Sequence, residues 1–277
     1  MSNNFVHDTV NALSEADATG EIARIFADIR GTMQIPILTS IWRILAESET
    51  DLAATWAAIK PMYATGQPEA ALARLRSDGA FPALKSLTRS ELEKAEIEPG
   101  YLQRIKSIIS AYTRSNSLNF LTQTALVLTP QKSPKDYLKV EPTDSIGEIP
   151  RLLAREEISD PVWELVLSVN MYGTNEANPG LATIYRHLAY WPGMLELLQS
   201  RLETAQSRGE IALGVESVTR IALEEGARMA HLRNESQMNE MSDDAKTIVA
   251  NYVDGPFNVA RVVNIGTALS RWLDDIE

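Results

Sequence analysis

The sequence predicts an all-α fold made of two similar helical units that pack together as an intrachain pseudo-dimer. Two observations predict the helices. Apolar residues recur with helical spacing through most of the chain, and no series of alternating strands is present. In the first stripe, Ile22, Ile25, Phe26, Ile29 and Met33 follow the i, i+3, i+4, i+7, i+11 pattern of one helix face. A third observation, a sequence that recurs in the second half, predicts the two units.

The same spacing predicts further amphipathic helices along the chain. Several of these helices are expected to begin at Pro36, Pro161 or Pro192, because the first turn of a helix does not need the missing N–H. Asp17 or Thr19 is the expected N-cap of the first helix. The later stripes are Leu102, Ile105, Ile108, Ile109 and Tyr112, then Leu165, Val169 and Tyr172, then Leu195, Leu198 and Leu202.

A proline-rich stretch interrupts the helical periodicity near the middle of the chain. Residues 129–150 contain four prolines and read as an exposed connection. We therefore divide the chain into a first helical repeat at 1–128, a linker at 129–150 and a second helical repeat at 151–277.

Two segments of the first half recur in the second half. Residues 36–46 (PILTSIWRILA) match 179–189 (PGLATIYRHLA), and residues 112–126 match 252–269 more weakly. Similar segments in the same order indicate an internal duplication. Two such units usually pack about a pseudo-two-fold axis, and the cleft between them is the expected ligand site. The oligomeric state stays open, with a homodimer among the options.

Composition excludes several classes of function. The 277 residues contain no cysteine, which excludes disulfides, thiolate metal sites and cysteine nucleophiles. The three histidines are far apart, so no metal site is expected, and no cofactor is implied. The net charge of −11 argues against nucleic acid as a partner. No apolar run reaches membrane-span length and the N-terminus lacks a signal peptide, so a cytoplasmic protein is the expectation.

A few polar residues stand out in the repeated segments. Arg43 and Arg186 occupy equivalent places, where each either holds a carboxylate or braces an interface. His187 has an apolar counterpart in the first copy, which favours a structural histidine. Asn116 lies in a polar break of a helical tract, and the break either lines a polar cavity or marks a helix end near Ser115.

Several stretches of the chain resemble the group I (D,L-) 2-haloacid dehalogenases. They occur in the same order and with the same tandem plan over most of the chain. They are Gly20-Glu21, Asp28-Ile29-Arg30, Ile35-Pro36, Arg43-x-Leu45-Ala46, Ser115-Asn116, Thr124-Ala125-Leu126 and Leu188-Ala189-Tyr190-Trp191-Pro192.

The resemblance implies a cofactor-independent hydrolase with its site between the halves. In this family an Asp activates a water that attacks C2 of a 2-halocarboxylate and displaces the halide with inversion. The water-positioning Asn of the family falls on Asn116 and a family Tyr falls on Tyr252. The family's Ser-Asp pair falls on Thr183 and Ile184, so the hydroxyl is kept and the catalytic Asp is replaced.

The aromatic pocket residues of the family fall on Ile37 and Ser40.

Two functions therefore remain in competition. One is a dehalogenase-like hydrolase with a relocated base, for which Glu176 and Asp254 are candidates, although both read as solvated loop acids. The other is a protein that binds a small carboxylate on the same scaffold without turnover.

Overall fold

A computed structural model describes residues 12–130, 146–147, 149–255 and 257–276 of the chain. The described part of the first half forms six α-helices. They are α1 Gly20–Met33, α2 Ser40–Leu45, α3 Glu49–Ala64, α4 Gln67–Asp78, α5 Arg89–Lys94 and α6 Pro99–Val127.

The described part of the second half forms seven α-helices. They are α7 Asp160–Asn170, α8 Thr183–His187, α9 Pro192–Ser207, α10 Glu210–Met229, α11 Glu235–Glu240, α12 Asp243–Asp254 and α13 Val259–Asp274. Three short 3₁₀ turns lie at Arg155–Glu157, Leu188–Tyr190 and Ala230–Leu232. Apart from one isolated bridge between Leu87 and Ile276, the described residues contain no β structure. The all-α prediction is confirmed.

Most local predictions agree with the helices, and one does not. In α1 the predicted stripe faces the core, with Ile25, Phe26, Ile29 and Met33 buried. Pro192 begins α9 and Pro161 lies in the first turn of α7, as predicted. The expectation for Pro36 is wrong, since α2 begins at Ser40.

The segment before α2 is anchored to the N-terminal part of the described chain. The N–H of Leu38 donates to the Glu15 carboxylate (2.7 Å). Thr39 then takes extended angles (φ −77°, ψ 166°) as the N-cap of α2. At the start of α1, Thr19 is the N-cap, although its side chain makes no capping hydrogen bond.

The central element is α6, which packs against α10 and α13 and also contacts α4, α8 and α12. It continues without interruption through the polar break at Asn116, so the alternative of a helix end near Ser115 is wrong. Asn and Ser are poor helix formers when their side chains bond their own backbone. Here the side chains of Ser115, Asn116 and Asn119 bond groups on other helices, which leaves the helical backbone intact.

Several elements of the two halves correspond at a fixed spacing. The helices α2 and α8, α3 and α9, and α4 and α10 begin 143 residues apart. Gly66 and Gly209, at the N-caps of α4 and α10, have the same left-handed conformation (φ 74° and 73°). A duplicated unit would produce this correspondence.

Among the described residues, no helix is both long and apolar enough to span a membrane. The linker predicted at 129–150 falls largely on residues 131–145, which lie outside the described part of the chain.

Candidate functional site

A buried cluster of polar side chains surrounds the middle of α6. The Tyr252 hydroxyl on α12 donates to Asn116 Oδ1 (3.3 Å) on α6. The structure therefore brings together two residues that are 136 positions apart in the sequence and that the resemblance matched separately to residues of the family. Asn116 and Tyr252 are each 5% exposed, whereas their neighbours Ser115 and Asn119 are fully buried.

The first half supplies the other side of the cluster. Thr39, the N-cap of α2, accepts a hydrogen bond from Asn119 Nδ2 (2.6 Å) and a longer one from Ser115 Oγ (3.5 Å). The Trp42 indole donates to Asn119 Oδ1 (3.0 Å). The Asn119 carboxamide is thus held through its oxygen by Trp42 on α2 and through its nitrogen by Thr39 at the N-cap of α2.

Tyr63 on α3 borders the same cluster. Its hydroxyl lies 3.5 Å from Thr122 Oγ1 on α6. The Thr122 hydroxyl donates its own proton to the Leu118 carbonyl (2.9 Å), so Tyr63 must be the donor to Thr122. Burial raises the pKa of both Tyr63 and Tyr252 well above the ordinary phenol value. Both phenols therefore stay protonated and act as hydrogen-bond donors at physiological pH.

The resemblance assigns the family's Ser-Asp pair to Thr183 and Ile184. Both residues are buried at the start of α8. The α8 helix packs against α6, where the Tyr112 hydroxyl meets His187 Nδ1 (3.2 Å). Ile184 lies one turn before His187, and Asn116 lies one turn after Tyr112. The position to which the resemblance assigns the family's acid is therefore on a helix that packs against α6, but it holds a hydrocarbon side chain.

The candidate replacements for that acid lie elsewhere. Glu176 and Asp254 are both exposed. Among the acidic residues of the described part of the chain, Glu225 is the one classed as buried, and it pairs with Arg74 and Arg228. No described carboxylate is part of the cluster around Asn116, so its hydrogen-bonding groups are neutral.

Ile37 and Ser40, the positions of the family's aromatic residues, flank Thr39. Ile37 is half-buried against the core, and Ser40 is buried in the first turn of α2. An aromatic wall is instead present in the second half, where Tyr252 stacks on Phe257 (ring centroids 5.7 Å apart, planes at 17°). Tyr252 joins this stack to Asn116 through its hydrogen bond.

The two repeated arginines brace the chain. Arg43 Nε donates to the Leu13 carbonyl and Arg186 Nε donates to the Leu153 carbonyl, both at 2.8 Å. Each guanidinium is buried and holds the backbone near the start of its own half. These contacts support the bracing role over carboxylate binding.

His187 is also held as a structural residue. Its Nε2 contacts the Pro150 carbonyl (2.8 Å), which can only accept, so Nε2 carries the proton and Nδ1 accepts from Tyr112. Burial lowers the pKa of His187 to about 4. The imidazole is therefore neutral at physiological pH and ties the start of the second half to α6.

Comparisons with known proteins find similarity in sequence and in fold. The chain matches no family model. It is 25% identical over 213 residues to a curated protein of Alcaligenes xylosoxydans xylosoxydans named "2-haloacid dehalogenase, configuration-inverting", covering 72% of this chain and 70% of that protein.

Solved structures show the same fold over nearly the whole chain. A D-2-haloacid dehalogenase mutant in complex with D-2-CPA superposes with a TM-score of 0.78 at 15% identity, covering 95% of each chain. A D-2-haloacid dehalogenase with L-LA superposes with a TM-score of 0.72 at 13% identity, covering 95% of this chain and 96% of that chain. The chain is therefore similar in sequence to a 2-haloacid dehalogenase and shares the fold of solved D-2-haloacid dehalogenases over nearly its whole length.

The cluster around Asn116 combines residues that the sequence predicted with residues that it did not. The sequence identified Asn116 and Tyr252, which the structure joins. It missed Thr39, Trp42 and Asn119 as site residues. The only signal for them was position, since Thr39 and Trp42 lie in the repeated segment and Asn119 lies one turn after Asn116.

Proposed function

We propose that this protein is a member of the 2-haloacid dehalogenase family that binds a small carboxylate at Asn116 and Tyr252 and does not hydrolyse it by the family's route. The observation that carries the proposal is the neutrality of the cluster. Ile184 stands where the family has its acid, and no described carboxylate faces Asn116. The family's route needs an ionised carboxylate within hydrogen-bonding reach of the attacking water, and loss of a general base typically costs about 10²–10⁴-fold in rate.

The remaining groups support recognition of an anion. Asn116 Oδ1 accepts from Tyr252, which leaves two N–H donors on Asn116 Nδ2 with no partner among the described residues. A carboxylate offers several lone pairs to such donors. The stacked rings of Tyr252 and Phe257 supply an apolar surface for the short carbon chain of the ligand.

We also infer that the two halves arose by duplication and pack as a pseudo-dimer, with the repeats at 1–128 and 151–277. The constant spacing of three helix pairs and the matching Gly66 and Gly209 caps support this history. So do the equivalent backbone contacts of Arg43 and Arg186. A cytoplasmic location is part of the same proposal and fits a chain without cysteine.

Dehalogenation with a relocated base is the second candidate. The name of the Alcaligenes relative, a configuration-inverting 2-haloacid dehalogenase, favours this reaction on the shared scaffold. It would need a carboxylate to reach Asn116, and the exposed positions of Glu176 and Asp254 count against it.

Titration calorimetry with each enantiomer of 2-chloropropionate tests the binding proposal, and halide release is measured in the same samples. We expect saturable binding without halide release above background. Asn116→Ala should abolish binding. The matched control is Asn264→Ala on α13, which removes a buried amide bonded to the Ala80 carbonyl and should bind as the wild type does. Halide release that saturates with substrate would instead support the second candidate, and no binding by the wild type would reject the proposal.

A further inference from the structure

A cleft opens on the surface between the end of α5, the first turns of α6 and the start of α9. Its volume is about 520 Å³, which lies within the range of small-molecule sites. Three aromatic residues line it, namely Tyr101 of α6 and Tyr190 and Trp191, which come directly before α9. None of them is part of the polar cluster around Asn116, so the cleft is a separate feature of the molecule.

The three rings are tilted against one another around this cleft. The Trp191 ring lies in the middle, with its centroid 6.2 Å from that of Tyr101 and 5.5 Å from that of Tyr190. The ring planes meet at 49° and 45°. A flat ligand ring stacks best on parallel side chains, whereas a rounded cation can meet several electron-rich ring faces at once. The geometry therefore favours a quaternary ammonium over a planar ring.

Charged side chains of both signs stand beside the rings. Glu96 and Glu196 line the cleft, and so do Lys94 and Arg104. Within the described part of the chain, none of these four side chains forms a hydrogen bond or an ion pair. Two acids and two bases that have no partner of their own can serve a ligand that carries a positive and a negative group.

Two residues of the cleft occupy helix ends where other residue types are more stable. Glu96 follows α5 with a left-handed backbone (φ 58°), a conformation that favours glycine. Trp191 is the N-cap of α9 without a capping hydrogen bond, whereas Ser48, 143 residues earlier, caps α3 by accepting from the Asp51 N–H. Both residues break a local rule of helix ends and both line the cleft, which is typical of residues that serve a ligand.

We propose that this cleft binds a small soluble zwitterion in which a quaternary ammonium and a carboxylate lie a few bonds apart, the chemistry of a betaine. The three rings face the ammonium, the two glutamates balance its charge, and Lys94 and Arg104 bind the carboxylate. A quaternary ammonium has no N–H to donate, so ring faces and nearby carboxylates are the partners that it can use. The site does not depend on Asn116 or on the proposed function.

Titration calorimetry of the wild type with glycine betaine, tert-butylacetate and choline tests the proposal. Tert-butylacetate has the shape of glycine betaine with carbon in place of the charged nitrogen, and choline lacks the carboxylate. We expect glycine betaine to bind at least about tenfold more tightly than either compound, because each of them lacks one of the two charges. Equal binding of glycine betaine and tert-butylacetate would overturn the proposal, and so would the absence of saturable binding.

Glu96→Gly separates ligand binding from folding. It should weaken the binding of glycine betaine about two- to fivefold, because one carboxylate is lost. It should leave the melting temperature unchanged or raise it, because glycine adopts the left-handed conformation freely. The matched control is Glu93→Gln, which removes an exposed carboxylate of α5 that does not line the cleft and should bind as the wild type does.

Tyr101 tests the part of the rings. Tyr101→Leu should weaken the binding of glycine betaine about two- to fivefold, the size of one exposed cation–π contact. Tyr101→Phe should keep the wild-type dissociation constant, since the ring face and not the hydroxyl meets the ammonium. Wild-type binding by both Glu96→Gly and Tyr101→Leu would show that the ligand lies elsewhere and would overturn the proposal.

Two further measurements define the ligand and the site. Cosedimentation with phosphatidylcholine vesicles that is stronger than the binding of free glycine betaine would overturn the assignment of a soluble ligand, and we expect no cosedimentation. The affinity for 2-chloropropionate should be the same in the wild type and in Glu96→Gly. A failure of this inference is therefore distinct from a failure of the function proposed for Asn116.

Discussion

At the scale of single residues, the site depends on how neutral groups are oriented. Asn116 and Tyr252 are 136 positions apart, and the distance of 3.3 Å between their polar atoms exists only in the folded chain. Both are enclosed by helices from the two halves, so the sequence could name them only through a resemblance. Ile184 is the opposite case, because the sequence alone shows that this side chain cannot accept a proton.

His187 gives a prediction about pH. The folded state holds this imidazole neutral with a pKa of about 4, below the 6.5 of a free histidine. Between pH 4 and 6.5 the unfolded chain binds more protons than the folded chain does. The contribution of the neutral His187 to the free energy of unfolding is therefore complete above about pH 6.5 and is lost as the pH falls towards 4. The full effect is about 3 kcal/mol.

The measurement is urea unfolding of the wild type and of His187→Gln between pH 4 and 8. The difference in unfolding free energy between the two proteins should shrink as the pH falls. Carboxylates titrate equally in both proteins and cancel in this difference. A difference that stays constant over the range would show that His187 is not held neutral.

At the scale of elements, the helix pair α4 and α10 joins the two halves through charge. Arg74 on α4 forms ion pairs with Glu224 and with the buried Glu225 on α10. Arg228 also pairs with Glu225, on the same helix. A buried carboxylate needs these cations, because its desolvation is costly.

Arg74→Met should therefore lower the unfolding free energy by about 3 kcal/mol, since Glu225 keeps its buried charge and loses a partner. The control is Arg220→Met, which breaks the exposed pair with Glu224 and should cost less than about 1 kcal/mol. Guanidinium unfolding followed by circular dichroism measures both. Equal effects of the two variants would contradict a special role for the Glu225 contact.

The two left-handed caps give a test of the repeat at the element scale. Gly66 and Gly209 precede α4 and α10 with φ of 74° and 73°. A side chain in this conformation costs roughly 1–2 kcal/mol, so Gly66→Ala and Gly209→Ala should each lower stability by that amount.

Gly100→Ala is the control for these caps. Gly100 lies in the first turn of α6, where an added Cβ meets nothing within 4 Å, and its φ is not positive. We expect this variant to be neutral or up to about 1 kcal/mol more stable. A large penalty at one cap and none at the other would show that the two turns are not equivalent.

The elements also show what the sequence could and could not supply. The apolar stripes of α1 and α6 predicted buried faces because a helix repeats every 3.6 residues, a purely local rule. The start of α2 at Ser40 could not be predicted from Pro36, because a proline is tolerated in the first turn of a helix but does not require a helix to begin there. The uninterrupted α6 through Asn116 likewise depends on partners that lie in α2 and α12.

At the scale of the whole molecule, the fold is shared with D-2-haloacid dehalogenases over 95% of the chain. The polar cluster around Asn116 is built by elements of both halves. The resemblance to the 2-haloacid dehalogenases could be seen from motifs in the sequence. The contacts of Asn119 with Thr39 and Trp42 could not, because they require α2 and α6 to meet.

The most direct test of this account is halide release from 2-chloropropionate by the wild type, Ile184→Asp and Ile184→Asn. We expect no release above background for the wild type. We expect release for Ile184→Asp, because it returns a carboxylate to the position to which the resemblance assigns the family's acid, and none for Ile184→Asn, which has the size of Asp without a base. Halide release by the wild type that Ile184→Asn leaves unchanged would contradict it. So would an Ile184→Asp protein that is folded and binds the acid but releases no halide.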